Sequence, residues 1–256
     1  MTGVMLDDDV AIGLWEEAAH LAPVDRAVRT LAAVAGIDAD AAADWPVDER
    51  DRALIEARCR SFGSKADLYV QCPACGEALE TRFDLGQLLA LRPEAAPTLT
   101  WSGAEHALRA PTSREVARAA RAAGAAAPAD DADAQADDAA PADDDALARA
   151  GAALARACVA DLRDPDDGPQ PRQIEASLEP AFPVLNVAIG FTCSVCGTAF
   201  SRRFDAPSYL WTDIERLAQA LIDDVHRLAC AYGWTERDIL SMGRRRRAAY
   251  LARLAS

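Results

Sequence analysis

Four of the seven cysteines fall in two matched pairs, Cys72 with Cys75 and Cys193 with Cys196, each a C-x-x-C followed at once by glycine. Such a pair places two thiolates along one edge of a tetrahedron, which is half of the ligand set that zinc prefers. Two halves make a closed site of four thiolates with no open position, and closed sites are structural. A thioredoxin-like redox pair needs only one C-x-x-C, and the duplication, the glycines and the flanking strand-like stretches oppose that reading. Knuckles that have lost their metal are the plainer alternative. The expectation is one structural zinc ion per chain, held by Cys72, Cys75, Cys193 and Cys196.

The pairs belong to an internal repeat. Residues 72–84 read CPACGEALETRFD and residues 193–205 read CSVCGTAFSRRFD, at a constant offset of 121. Both follow an alternating or apolar stretch and precede a helix signal, so each copy reads as strand, knuckle, strand, helix. Gly76 and Gly197 suit the positive φ that lets knuckle amides turn toward sulfur. Asp84 and Asp205 are placed to cap the following helix, and Phe83 and Phe204 to point back toward the knuckle as core residues. The 117 residues from Gly76 to Thr192 form a long loop for a metal to close, so the site should tie the two halves of the chain together.

Helices must supply the rest. From Ser208, large apolar residues recur at Leu210, Ile214, Leu217, Leu221, Val225 and Leu228, the spacing of one face of a long amphipathic helix. Its stripe is expected to bury on the zinc module. Gly233 suits a left-handed C-terminal cap, and Thr235–Asp238 restarts the chain with a capping-box signal. A short helix through Ile239, Leu240 and Met242 and a last one carrying Tyr250, Leu251 and Leu254 follow. Upstream, Asp48–Cys59 reads as a helix, and Thr98–Arg109 as a hairpin turning at Ser102-Gly103. Alanine-rich helices are expected at Ser113–Ala126 and Asp145–Ala160. Between them Ala125 to Ala146 holds eight aspartates and no basic residue, which reads as a disordered acidic linker, a tolerated insertion rather than an interaction tail. The regions are 1–110, with N-terminal helices and the first knuckle; 111–170, with alanine-rich helices and the insert at about 127–145; and 171–256, with the second knuckle and the C-terminal helices. The fold class is mainly α with small β: two pseudo-repeated zinc-knuckle β-hairpins joined in one four-cysteine site and flanked by amphipathic helices.

Composition narrows the function. Forty-one acidic against 27 basic residues give a formal charge of −14, which on average repels a phosphate backbone. No apolar run approaches the ~20 residues of a membrane helix, and the N-terminus carries acids where a signal peptide has a basic region. A cytoplasmic protein is expected. Arg244–Arg247 is the one dense basic run; four consecutive helical residues point around the axis, so a solvated helix end or a patch for an acidic partner is expected. Cys59, Cys158 and Cys230 read as small buried hydrophobes, and His20, His106 and His226 share no ligand spacing. No phosphate loop, nucleophile elbow, HExxH or dinucleotide fingerprint occurs, so no catalytic residue is proposed.

The stretch Arg58–Glu80, with Ser61-Phe62-Gly63 ahead of the first knuckle, resembles proteins encoded with phage-tail-like contractile injection systems. The C-terminal residues Phe204-Asp205, Leu210-Trp211, Val225-His226, Leu228-Ala229, Tyr232-Gly233-Trp234, Ile239-Leu240, Arg246-Arg247 and Tyr250-Leu251 are similar to the baseplate hub assembly chaperones of T-even-type phages. The resemblance covers about Asp48–Leu91 and Thr98–Leu254, apart from the acidic insert. It implies a non-enzymatic assembly factor or minor baseplate component whose partners are baseplate or hub proteins, with neither nucleic acid nor membrane expected. Trp211, Tyr232 and Trp234, large amphipathic rings of the kind enriched at interfaces, are the candidate partner-binding residues, against the reading that they fill a core poor in large side chains. A zinc-ribbon nucleic-acid-binding regulator using the arginine run is the alternative from another class.

Overall fold

The structure, a computed structural model, describes residues 5–93, 97–124, 144–160 and 168–254. Helices α1 (Asp8–Ala18), α2 (Pro23–Ala35), α3 (Ala39–Ala43) and α4 (Val47–Phe62) open the chain. Their ends follow local chemistry. Asp7 accepts from the Val10 amide at 3.0 Å, Pro23 sits at the start of α2, and Gly36 ends it with φ 67°. The first hairpin is β1 (Lys65–Gln71) with β2 (Ala78–Asp84), followed by α5 (Gly86–Ala90). A small hairpin, β3 (Thr98–Trp101) with β4 (Ala104–Ala107), turns at Ser102 and Gly103, both at positive φ. Helices α6 (Ser113–Ala122), α7 (Asp144–Ala157) and α8 (Pro171–Ala181) lead to the second hairpin, β5 (Ala188–Thr192) with β6 (Ala199–Arg203). The chain closes with α9 (Ala206–Tyr232), α10 (Glu236–Leu240) and α11 (Arg244–Leu254). The protein is mainly helical, with small antiparallel hairpins, as the sequence indicates.

Most boundaries expected from sequence hold within a few residues. The acidic segment needs adjustment: residues 125–143 lie outside the described residues, but Asp144, Asp145 and Ala146 already belong to α7. Acids in a first helical turn face the positive end of the helix dipole, which favours starting the helix there.

The main core joins the two ends of the chain. Leu6, Leu14, Val28, Leu31, Val34 and Leu54 of the N-terminal region pack with Leu210, Trp211 and Ile214 of α9, and alanines at positions 11, 18, 27, 42 and 57 fill the contacts between them. Buried alanines let helix axes approach closely, so a chain with few large apolar residues still packs densely. This overturns one expectation. The stripe of α9 buries on α1, α2 and α4 rather than on the two cysteine-bearing hairpins. Only its first turn, through Ala206 and Tyr209, joins the cluster beneath the hairpins. The reason is reach: a helix of 27 residues extends about 40 Å, so most of it leaves the small hairpins behind. A third cluster, with Leu99, Leu108, Ala155, Val159 and Ile174, holds the small hairpin against α7 and α8.

Candidate metal centre

The two knuckles repeat at the level of individual hydrogen bonds. In the first, the Cys72 amide donates to the Glu77 carbonyl at 2.8 Å and the Gly76 amide to the Cys72 carbonyl at 2.9 Å. In the second, Cys193 donates to Thr198 and Gly197 to Cys193, both at 3.0 Å. Gly76 and Gly197 take φ values of 74° and 73°, the left-handed turn that glycine adopts without a Cβ clash. Strand registers match too: Gln71 pairs with Ala78, and Thr192 with Ala199. An offset of 121 in sequence is thus a pseudo-symmetry in space.

Residues related by the offset meet. The rings of Phe83 and Phe204 lie 6.1 Å apart, and Tyr209 packs against Phe204 at 5.4 Å; all three flank the buried residues beneath the hairpins. The Tyr209 hydroxyl, from the second half of the chain, donates to the Asp67 carbonyl of β1. Arg58, only 6% exposed, pairs with Asp213 of α9 at 3.0 Å and donates to the Lys65 carbonyl at 2.7 Å. A buried guanidinium with fixed partners locks the entry of β1 against α9. Asp205 caps α9, accepting from the Ser208 amide and hydroxyl, whereas Asp84 accepts from the Gly86 amide.

This frame brings all four expected ligands together. Their sulfurs lie within 4.8 Å of one another, with Cys72 and Cys196 at 3.6 Å and Cys75 and Cys193 at 3.6 Å. Both close pairs cross between knuckles. A tetrahedron with sulfur about 2.3 Å from its centre has edges of about 3.8 Å, close to the two 3.6 Å separations, so the cluster could hold such an ion. The donor set is the softest that protein offers, which suits zinc. Cys72 and Cys193 are buried while Cys75 and Cys196 are exposed, giving one open side and a dry interior.

Thiol acidities divide across the cluster. Hydrogen bonding with the Thr198 hydroxyl, 3.2 Å away, and with its amide brings Cys196 down to about 6. At the equivalent position of the first knuckle the Glu77 amide also favours the Cys75 thiolate, but no hydroxyl is present. Hydrogen bonds shared with Cys196, Cys193 and Cys72, with some burial, push Cys75 up to about 12. Thr198, absent from the sequence reading, is therefore a feature of the second knuckle alone. Its hydroxyl directly after a knuckle glycine is the signal that could have found it.

The three candidate partner-binding residues separate. Trp211 is 6% exposed within the main core, with the Arg26 guanidinium 5.3 Å over its ring. Tyr232 is 38% exposed and stacks on Trp234 with centroids 4.5 Å apart. Twenty-one residues of helix, about 30 Å, separate these rings from Trp211. Tyr250 of α11 joins them, edge-on to Trp234 at 4.8 Å. Sequence spacing alone did not group Tyr250 with them, because only the turn after α9 folds α11 back.

Two further expectations change. Arg247 is not part of a solvated helix end: it is 2% exposed, paired with Asp8 and, at 3.1 Å, with Asp224. Among the single cysteines only Cys158 is buried, donating to the Leu154 carbonyl, with its thiol pushed up to about 11 by burial. Cys59 is half-buried and Cys230 is exposed beside His226.

The class these features define is a mainly helical protein whose two related hairpins meet at a four-cysteine cluster suited to a metal. A family model described as T4 bacteriophage base plate protein matches residues 27–141, a stretch that runs from α2 through the first knuckle and past α6. The chain is similar to that family there, and the similarity supports a phage baseplate-related protein. Phe204–Leu254, which carries the more specific resemblance, lies outside the matched stretch. No curated protein and no solved structure matches the chain. Among the described residues, no helix is long and apolar enough to cross a membrane.

Proposed function

We propose that the protein is a non-enzymatic assembly factor or minor baseplate component of a phage-tail-like contractile injection system, akin to the hub assembly chaperones. It acts in the cytoplasm on baseplate or hub proteins, and one structural zinc ion clamps its two hairpins. The observation that carries the reading is the baseplate family match over residues 27–141. The cluster supports it by its form. Four thiolates fill the coordination sphere of zinc and leave no position for a substrate, so the ion would supply folding energy rather than reactivity. Tyr232 is exposed and Trp234 half-buried, so a partner can reach them as it cannot reach the buried Trp211.

The test is co-expression of the tagged chain with the tail and baseplate proteins encoded beside its gene. A baseplate component should co-purify, and absence of the chain from finished particles would mark it as an assembly factor rather than a component. If no baseplate protein is retained, the reading fails.

A further inference from the structure

We propose that the C-terminal end of α9 and the outer side of α11 form a docking surface for an acidic segment of a partner protein. The identity of that partner as a baseplate protein rests on the function proposed above; the chemistry of the surface does not.

Helix α11 carries five arginines and no acidic residue, in a chain whose formal charge is −14. Four of the five crowd its first turns, against the positive end of the helix dipole, where cations are unfavourable. Two are explained by the fold. Arg247 is buried between Asp8 and Asp224, and Arg244 pairs with Asp8. These two are three apart and share one side of the helix. Arg245 and Arg246 are exposed, and among the described residues neither has a carboxylate partner. They line an open basin with Gly243 and Ala249. Folding does not require them, and the dipole opposes them.

Beside them lies the ring cluster, with Tyr232 exposed and Trp234 and Tyr250 half-buried. Arg246, Tyr250 and Leu254 follow at steps of four, so they run along one side of α11. Tyr250 meets Trp234 and Tyr232 in contacts of 4.8 and 5.8 Å, and Tyr232 and Leu254 are each 38% exposed. Rings held against one another lose little conformational freedom when a partner covers them, and aromatic and arginine side chains are the usual anchors of interfaces. The surface therefore joins a rigid apolar platform to a basic edge. Its complement is a segment with carboxylates next to an apolar anchor. Nucleic acid fits less well, since the charge of a duplex runs on past this short basic edge and over the acidic remainder of the chain.

Binding of the purified full-length, zinc-loaded chain is measured against each baseplate protein encoded beside its gene, against a short DNA duplex, and against itself by sedimentation. Arg245→Glu/Arg246→Glu is compared with wild type, with Tyr232→Ala as an independent second variant and melting curves for all three. The expected result is one acidic baseplate protein whose binding weakens about ten-fold in the double variant, mainly through slower association, and weakens as salt is raised. Tyr232→Ala should weaken it through faster dissociation. Melting should be unchanged in the double variant. A baseplate protein that binds wild type and the double variant equally would overturn this surface while leaving the baseplate function standing. Binding of no baseplate protein would overturn both. DNA binding, or self-association, that the double variant alone abolishes would reassign the face to nucleic acid or to a second copy and so reject the proposal.

Discussion

At the scale of single residues, the cluster and one buried carboxylate give the sharpest expectations. Purified protein should hold one zinc ion per chain, and Cys72→Ser or Cys193→Ser should each reduce metal content toward zero, because each removes a buried ligand from a closed tetrahedron. Elemental analysis with thiol titration decides it; two ions per chain, or none with every thiol reduced, rejects a shared site. Asp51 behaves in the opposite way to most surface acids. Burial pushes its carboxyl from 3.8 up to about 6, although the Arg50 guanidinium, 2.8 Å away, favours the charged form. A folded-state value above the unfolded one means that this contribution to stability is present below about pH 4 and is lost as pH rises through about 6. Asp51→Asn cannot ionise. Wild type should therefore lose up to roughly 3 kcal/mol relative to it between about pH 4 and pH 7. Denaturant titrations of both proteins across that window measure the difference, and parallel pH profiles would refute it.

Elements come next, and here glycines separate a structural role from a metal-holding one. Gly197 and Gly233 both sit at positive φ, 73° and 68°, one in a knuckle and the other ending α9. Alanine at either position forces an L residue into the left-handed region at about 1 kcal/mol, so both variants should melt earlier. Only Gly197→Ala should weaken zinc binding, because the Thr198 amide that meets Cys196 depends on that turn. Competition with a chromophoric chelator reads the affinity. Equal loss of metal in the two variants would show that zinc binding merely follows global stability.

For the molecule as a whole, the buried arginine clamp is the informative feature. Arg247 joins α11 to Asp8 of α1 and Asp224 of α9, so both ends of the chain depend on one charge with 2% exposure. Removing either partner leaves the other short of a counter-ion, and the penalty grows with the burial of the charge that remains. Asp8→Ala should thus destabilise by about 3 kcal/mol, and Arg247→Met by less, since the side chains of Asp8 and Asp224 retain 16% and 28% exposure and can hydrate. Urea midpoints of the two variants give the order, and the reverse order would show that the clamp contributes through packing alone.

What the sequence by itself determined was local or repetitive. The 121-residue offset announced two hairpins and the four cysteines that they bring together, Gly233 and the Thr235–Asp238 box marked the end of α9 and the start of α10, and Ser102-Gly103 marked a turn. Each signal acts over a few bonds, through φ preference, capping or ligand spacing, so it survives whatever the rest of the chain does. Tertiary structure alone decided which surfaces meet. It laid the stripe of α9 on the N-terminal helices, drew Arg247 inward while leaving Arg245 and Arg246 outside, and sent Trp211 into the core but Tyr232 and Trp234 to a partly exposed cluster with Tyr250. Periodicity names an apolar face but not what covers it, because that choice is made by burial competing among all faces of the chain at once.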